Sequence, residues 1–248
     1  MKELGGKKAL ITGASSGIGK ASAHKLGENG VDIALASRTG EELEQIAENL
    51  EDKHGVDTFV RPTDVTDELQ VEEMVEETVE EFGQLDIVFN NAGLAMTGEI
   101  EDMPTEHYRK TMDVNVDGMF FTARAAIPHL KETDGNLIFT GSIAGKYPRG
   151  GNPLYAATKW WTRGFALSLS SQIGDDDVGV TVINPSEVRT EFNSEEGEAF
   201  RQAFEKGEVT EPEDIAESVV YAARQEDRNS AAEIDLYRRD KLGDMHLG

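Results

Sequence analysis

Tyr155 and Lys159 close the segment Leu154-Tyr155-Ala156-Ala157-Thr158-Lys159, four residues apart. On a helix that spacing puts both side chains on one face, about one turn apart. A free tyrosine titrates near ~10, too high for ready proton exchange at neutral pH. A neighbouring ammonium favours the phenolate, so Lys159 is expected to lower the Tyr155 pKa and make the phenol a general acid/base. Taken alone, Tyr-x-x-x-Lys fits equally well an aromatic and a lysine on a surface helix.

A second group of residues, near the N-terminus, has the chemistry of a phosphate site. Lys7-Lys8-Ala9-Leu10-Ile11-Thr12 begins with a short apolar run, Gly13-Ala14-Ser15-Ser16-Gly17-Ile18-Gly19 follows, and helix-forming residues continue to Leu26. A strand, a glycine turn and a helix start in that order aim backbone N–H groups at one point, which suits a phosphate. Glycine also lets the backbone approach a ligand with no Cβ in the way. The spacing at Gly13, Gly17 and Gly19 is G-x-x-x-G-x-G rather than the common G-x-G-x-x-G. A P-loop is excluded, because Ala14 and Ala21 stand where it needs glycine and Ser/Thr.

Other elements must hold these groups together. Apolar runs predict strands over residues 9–12, 32–36, 58–61, 87–90, 136–140, 179–184 and 233–236. Amphipathic stretches predict helices over 17–28, 41–51, 68–82, 108–129, 154–173 and 213–223, with Pro128 ending or kinking the fourth. Regular β-α alternation implies a parallel sheet covered on both faces, a doubly wound α/β fold of about seven strands. Ligands of such folds bind beyond the carboxyl ends of the strands. The glycine turn, Asp64, Asn90 to Gly93, Ser142 and Pro185 all follow strand ends, so the topology converges on one crevice.

Thr12-Gly13-Ala14-Ser15-Ser16-Gly17-Ile18-Gly19, Asn90-Asn91-Ala92-Gly93, Ser142 and Tyr155-x-x-x-Lys159 occur in that order. Together they resemble a single-domain, Rossmann-like short-chain dehydrogenase/reductase, with the resemblance running over residues 7–237. It implies hydride transfer between a nicotinamide cofactor and a carbonyl or secondary alcohol. Tyr155 would exchange the proton. Lys159 would depress its pKa and bond the nicotinamide ribose, and Ser142 would steady the substrate oxygen. Asn115 matches the family's asparagine that holds a water beside the lysine in a proton relay. Its plain alternative is an asparagine inside a helix bonded to backbone.

The cofactor side follows from the same resemblance. Gly13, Ser15, Ser16, Gly17, Ile18 and Gly19 would face the phosphates. Asn91, Ala92 and Gly93 would pack beneath the cofactor, and Asp64-Val65 would contact the adenine, with a helix N-cap region as the alternative. Pro185, Val188 and Thr190 belong to a loop that the family writes Pro-Gly-x-Val-x-Thr. Ser186 here replaces the glycine, which questions the local backbone geometry if an unusual φ is required there. Ser37 stands where NAD-preferring members carry aspartate, and Arg38 follows. A guanidinium suits a ribose 2′-phosphate, and Ser37 and Thr39 add hydroxyls, so NADP(H) is the expected cofactor. The chain lacks the C-terminal Gly-Gly of biosynthetic members, which weakens the likeness to acyl-carrier-protein ketoreductases.

Substrate choice is expected to fall to residues 141–153 and 186–207, the second long, acidic and read as a mobile lid. Met96, Ile143, Ala144, Tyr147 and Phe192 are candidate apolar walls. Lys146 and Arg149 are cations that could meet an anionic substrate, although loop charges are ordinarily just solvated. A non-catalytic NAD(P)-binding sensor on the same fold is the alternative from another class; the complete Ser142, Tyr155 and Lys159 set speaks against it. Family members usually form homotetramers or homodimers through the Tyr155 helix and the one before it, and Trp160, Trp161 and Phe165 are candidates for that interface.

Composition narrows the rest. With no cysteine, disulfides and thiolate metal sites are excluded, and the five histidines show no ligand spacing. No long apolar segment or signal peptide is apparent, so a soluble cytoplasmic protein is expected, with no membrane partner. Asp and Glu number 48 against 24 Lys and Arg, a net charge of −24 over 248 residues. Such a surface repels nucleic acid, and its self-repulsion destabilises the folded state at low ionic strength. The pattern is read as halophilic, because salt screens the repulsion. The melting temperature should therefore rise between 0.1 M and 2 M KCl, as followed by circular dichroism; a salt-independent value would refute this reading.

Overall fold

The computed structural model describes residues 1–192, 199–225 and 229–239. Seven strands, β1 (Lys8–Thr12), β2 (Asp32–Ser37), β3 (Thr58–Pro62), β4 (Ile87–Asn90), β5 (Asn136–Thr140), β6 (Gly179–Pro185) and β7 (Glu233–Leu236), form one sheet in the order β3-β2-β1-β4-β5-β6-β7. Every pairing is parallel. The helices are α1 (Gly17–Gly27), α2 (Gly40–His54), α3 (Glu68–Phe82), α4 (Thr105–Met112), α5 (Gly118–Lys131), α6 (Pro153–Ile173), α7 (Phe200–Ala203) and α8 (Pro212–Ala223). This is the Rossmann-like α/β architecture that the alternating pattern predicts, with each strand bound within one residue of expectation.

The two-residue period of the strands builds two cores. Ala9 and Ile11 of β1, with Ile33, Leu35, Ile87, Phe89, Ile138 and Ile183, pack against α1, α2 and α8. Leu10, Ala34, Val88, Leu137, Phe139 and Val182 point the other way, against α3, α5 and α6. Strands buried on both faces read as continuous apolar runs, which is why their positions were visible in the sequence.

Helix ends follow local chemistry. Asp67 caps α3 by accepting from the Leu69 and Gln70 N–H groups at 3.1 and 3.2 Å, and Gly83 ends it at φ 76°. Pro212 opens α8 behind a reciprocal capping box of Glu211 and Asp214. Several carboxylates of this acidic chain thus satisfy helix N–H groups.

The expected single helix over 108–129 is three pieces: α4, a π-helical turn at Asp113–Asp117, and α5. Amphipathic periodicity cannot reveal a widened turn, because the apolar stripe continues through it. Pro128 does not end the helix, which runs on to Lys131. Strand order reverses between β1 and β4, which opens the crevice at the carboxyl ends of these strands.

Candidate active site

The glycine turn leaves β1 at that crevice. Gly13 and Gly17 hold φ of +64° and +52°, which side-chain-bearing residues rarely adopt. At Gly19 the reason is contact: a Cβ there would lie 2.1 Å from the Gly13 carbonyl oxygen. The α1 helix therefore starts directly against the turn. Ser16 stands at its N-cap without a side-chain cap bond, and no acid occupies the first turn. Thr190 approaches from the far side, its Cγ2 3.0 Å from where a Cβ of Gly17 would sit. Residues separated by most of the chain, Gly17 and Thr190, are thereby brought together.

A string of hydrogen bonds joins this turn to Lys159. Fully buried Thr12 accepts on Oγ1 from the N–H groups of Asn91 and Ala92 at 2.9 and 3.1 Å. Asn91 Nδ2 donates to the carbonyls of Thr12 and Gly13 at 3.0 and 3.3 Å, and its Oδ1 accepts from Thr140 Oγ1 at 2.9 Å. The Thr140 carbonyl then accepts from Lys159 Nζ at 2.8 Å. Asn91 is thus a clamp between strand ends beneath the crevice.

The π-helical turn places Asn115 on the other side of Lys159. Its Oδ1 accepts from Leu94 N at 2.9 Å, and its Nδ2 donates to Leu94 O at 2.8 Å and Thr158 Oγ1 at 3.1 Å. Thr158 Oγ1 donates to the Tyr155 carbonyl at 2.8 Å. Both amide hydrogens of Asn115 are therefore spent on positioning the Leu94 backbone and α6. Gly93 fits between, with a Cβ there 3.4 Å from Asn115 Oδ1 and 3.7 Å from Lys159 Nζ.

Ser142 caps the short 3₁₀ turn Ile143–Gly145, accepting from Ala144 N at 3.1 Å, and its hydroxyl is near enough to the Tyr155 phenol to act against that group's upward shift. Gly145 lets this turn lie on α6: a Cβ there would come within 2.6 Å of the Lys159 carbonyl oxygen. Ser142, Tyr155 and Lys159 are thus held by backbone packing, not by loop drape. The Phe192 ring lies 5.5 Å from that of Tyr155.

The electrostatics correct one expectation. The Tyr155 phenol is pushed up to about 12, first by burial; the Ser142 hydroxyl and the Arg149 charge offset this only in part. Lys159 Nζ sits over the ring, 5.7 Å from its centroid, yet burial dominates and the phenol lies above its free value. Desolvation reaches both partners, since burial also lowers Lys159 to about 8.

Other expected residues find their places. Ser37, Arg38 and Thr39 end β2 with Arg38 and Thr39 exposed. Asp64 Oδ1 accepts from both N and Oγ1 of Thr66, a local turn before the Asp67 cap, while Val65 packs on Gly118 of α5. Pro185 and Val188 are buried, and Ser186 needs no left-handed backbone, so its replacement of glycine carries no strain. Its N–H donates to Leu236 O at 3.1 Å, tying the loop to β7. Lys146 turns away to Asp235 at 2.7 Å. Met96, Ile143 and Ala144 are buried, and Tyr147 is partly so. Part of the expected lid, 193–198, lies outside the described residues. Thr140 and Thr158 were not legible in the sequence, because a threonine at a strand end or in a helix carries no signal until its cross-chain partner is known, and Thr12 stood only as the first residue of the glycine motif.

Comparison with known proteins agrees with this geometry. Residues 7–200 match the family model for short chain dehydrogenases. An uncharacterised oxidoreductase of Staphylococcus aureus (strain USA300) is 35% identical over 237 residues, covering 95% of this chain and 99% of that protein. Among solved structures, an alcohol dehydrogenase from the archaeon Thermococcus sibiricus, complexed with 5-hydroxy-NADP, superposes with a TM-score of 0.85 at 31% identity over 93% of this chain and 95% of that one. A 3-ketoacyl-(acyl-carrier-protein) reductase from Brucella melitensis, complexed with NADH, gives 0.83 at 27% over 94% and 98%. The fold and crevice define a dinucleotide-type α/β protein. More specifically, the chain belongs to the short-chain dehydrogenase family of oxidoreductases.

Burial of Lys159 has a consequence for stability. The folded chain binds fewer protons here than the unfolded chain between about 8 and the ordinary 10.5, so the penalty for burying the ammonium is full at pH 7 and fades as pH rises through that window. Lys159→Met should therefore raise unfolding stability at pH 7 by about 1–2 kcal/mol, the burial penalty less the bond lost at Thr140. Urea unfolding at fixed salt should show a smaller gain at pH 10.

Proposed function

We propose that this protein is an NADP(H)-dependent oxidoreductase that transfers a hydride between the nicotinamide and a carbonyl or secondary alcohol. The observation that carries this reading is the continuous string from the glycine turn through Thr12, Asn91 and Thr140 to Lys159, one helical turn from Tyr155. A cofactor-binding turn and an acid/base pair linked in this way suit one reaction.

The turn also fits a pyrophosphate. Gly13, Gly17 and Gly19 leave no Cβ in the cradle, Ser15, Ser16 and Ile18 complete it, and the α1 N-terminus faces it with uncapped N–H groups. Asn91, Ala92 and Gly93 would form the floor, Asp64 and Val65 the adenine side, and Pro185, Val188 and Thr190 the opposite wall. The bound nicotinamide supplies or accepts the hydride. Tyr155, a phenol throughout the neutral range, donates the proton to the substrate oxygen during carbonyl reduction. Ser142 bonds that same oxygen and Tyr155 together. Lys159 contributes positive charge and a ribose contact, and Asn115 acts by positioning α6. Above about pH 8 the loss of the Lys159 proton should slow turnover.

The Thermococcus sibiricus and Brucella melitensis structures hold 5-hydroxy-NADP and NADH respectively, so cofactor choice rests on Ser37, Arg38 and Thr39 and the lack of an acid beside them. A homotetramer or homodimer is supported by exposed Phe120 and Trp160, on α5 and α6. Trp161 instead stacks on Phe165 at 4.7 Å against the core.

Tyr155→Phe should cut turnover by roughly 10²–10⁴ while NADPH titration is unchanged; undiminished turnover overturns the assignment. Arg38→Ala should weaken NADPH binding by about 10- to 100-fold and NADH by no more than a few-fold. Equal effects on both would sink the NADP preference.

A further inference from the structure

The acidity of this chain has one long interruption. Between Asp134 and Asp175 no acidic residue occurs, while Lys146, Arg149, Lys159 and Arg163 all fall inside. This is the segment that carries Ser142 and Tyr155. In a chain with two acids for every base, an acid-free stretch of that length gives the segment around the chemistry cations and no carboxylate of its own.

Three of the four cations are already committed. Lys159 bonds the Thr140 carbonyl, Lys146 pairs with Asp235 and Glu233, and Arg163 forks onto Glu233 at 2.6 and 3.0 Å. Arg149 is different. It is partly buried, and among the described residues no carboxylate pairs with it. Its backbone is fixed relative to the acid/base group: its carbonyl accepts from Asn152 N at 3.1 Å, and Asn152 Oδ1 accepts from Tyr155 N at 3.1 Å. Gly150 and Gly151 beside it face open space. Its charge reaches the Tyr155 phenol. An unpaired guanidinium anchored to the cap of the catalytic helix, amid general acidity, is placed to bind an anion.

We infer that the substrate is a carbonyl or alcohol bearing an anionic group, carboxylate or phosphate, which Arg149 holds while the reacting oxygen lies at Tyr155 and Ser142. This rests on the oxidoreductase reading above. The acidic surface then acts as a filter, because away from the cofactor site an anion meets general acidity except at the segment free of acids. Phe192, against the Tyr155 ring, covers the apolar part of the substrate.

The test compares kcat/KM for anion and neutral partner with NADPH at fixed ionic strength, since salt screens the contact. The probes are 2-oxo to 5-oxo acids with their methyl esters, and dihydroxyacetone phosphate with dihydroxyacetone. At least one pair should favour the anion tenfold or more, and which pair does so separates carboxylate from phosphate. Arg149→Ala should reduce that preference tenfold or more through KM, Arg149→Lys should restore part of it, and Lys146→Gln should leave it within twofold. Preference for the neutral member in every pair, or an unchanged preference in Arg149→Ala, overturns the inference. Turnover of neutral carbonyls alone likewise overturns it and leaves the oxidoreductase reading standing. If nothing is turned over although NADPH binds, the oxidoreductase reading fails and this inference with it.

Discussion

The hydrogen bond from Lys159 Nζ to the Thr140 carbonyl is the constraint on which the site depends. A buried ammonium is costly, and it stays charged only if fixed acceptors meet it. Here the acceptor is the last carbonyl of a central strand, whose own side chain is tied to Asn91. Sheet and helix α6 therefore cannot shift independently without stranding a charge. The interaction that holds the lysine is also what fixes Tyr155, one turn earlier on the same helix.

Around that bond most polar groups position and few are free to react. Asn91 spends its amide on three strand-end partners, and Asn115 spends both its amide hydrogens on Leu94 and Thr158. Gly19 and Gly145 work by absence, allowing backbones to approach where a methyl group would collide. A site assembled in this way is stiff, and preorganised donors cost little reorganisation when charge develops. The Tyr155 phenol pays for that enclosure with a pKa above its free value, so burial holds it in the protonated form and makes it the weaker acid.

Charge is divided in the same spirit. Carboxylates crowd the outside, where Asp67, Glu211 and Asp214 serve as helix caps and Asp235, Glu233 and Glu211 neutralise cations. The segment from β5 through α6 carries none.

Strand positions, the glycine turn, the Tyr155–Lys159 spacing and the family were legible in the sequence because each rests on local rules: apolar runs of strand length, φ values open to glycine, helical periodicity. The π-helical turn at Asn115 was not, since the amphipathic stripe runs through it unbroken. Nor was the direction of the Tyr155 shift, because spacing reveals that an ammonium is near but not how much solvent is excluded from both groups. Thr140 and Thr158 acquire meaning only from partners tens of residues away. Local backbone preference and side-chain period are written in neighbouring residues; burial, desolvation and cross-strand bonding exist only once the chain has closed on itself.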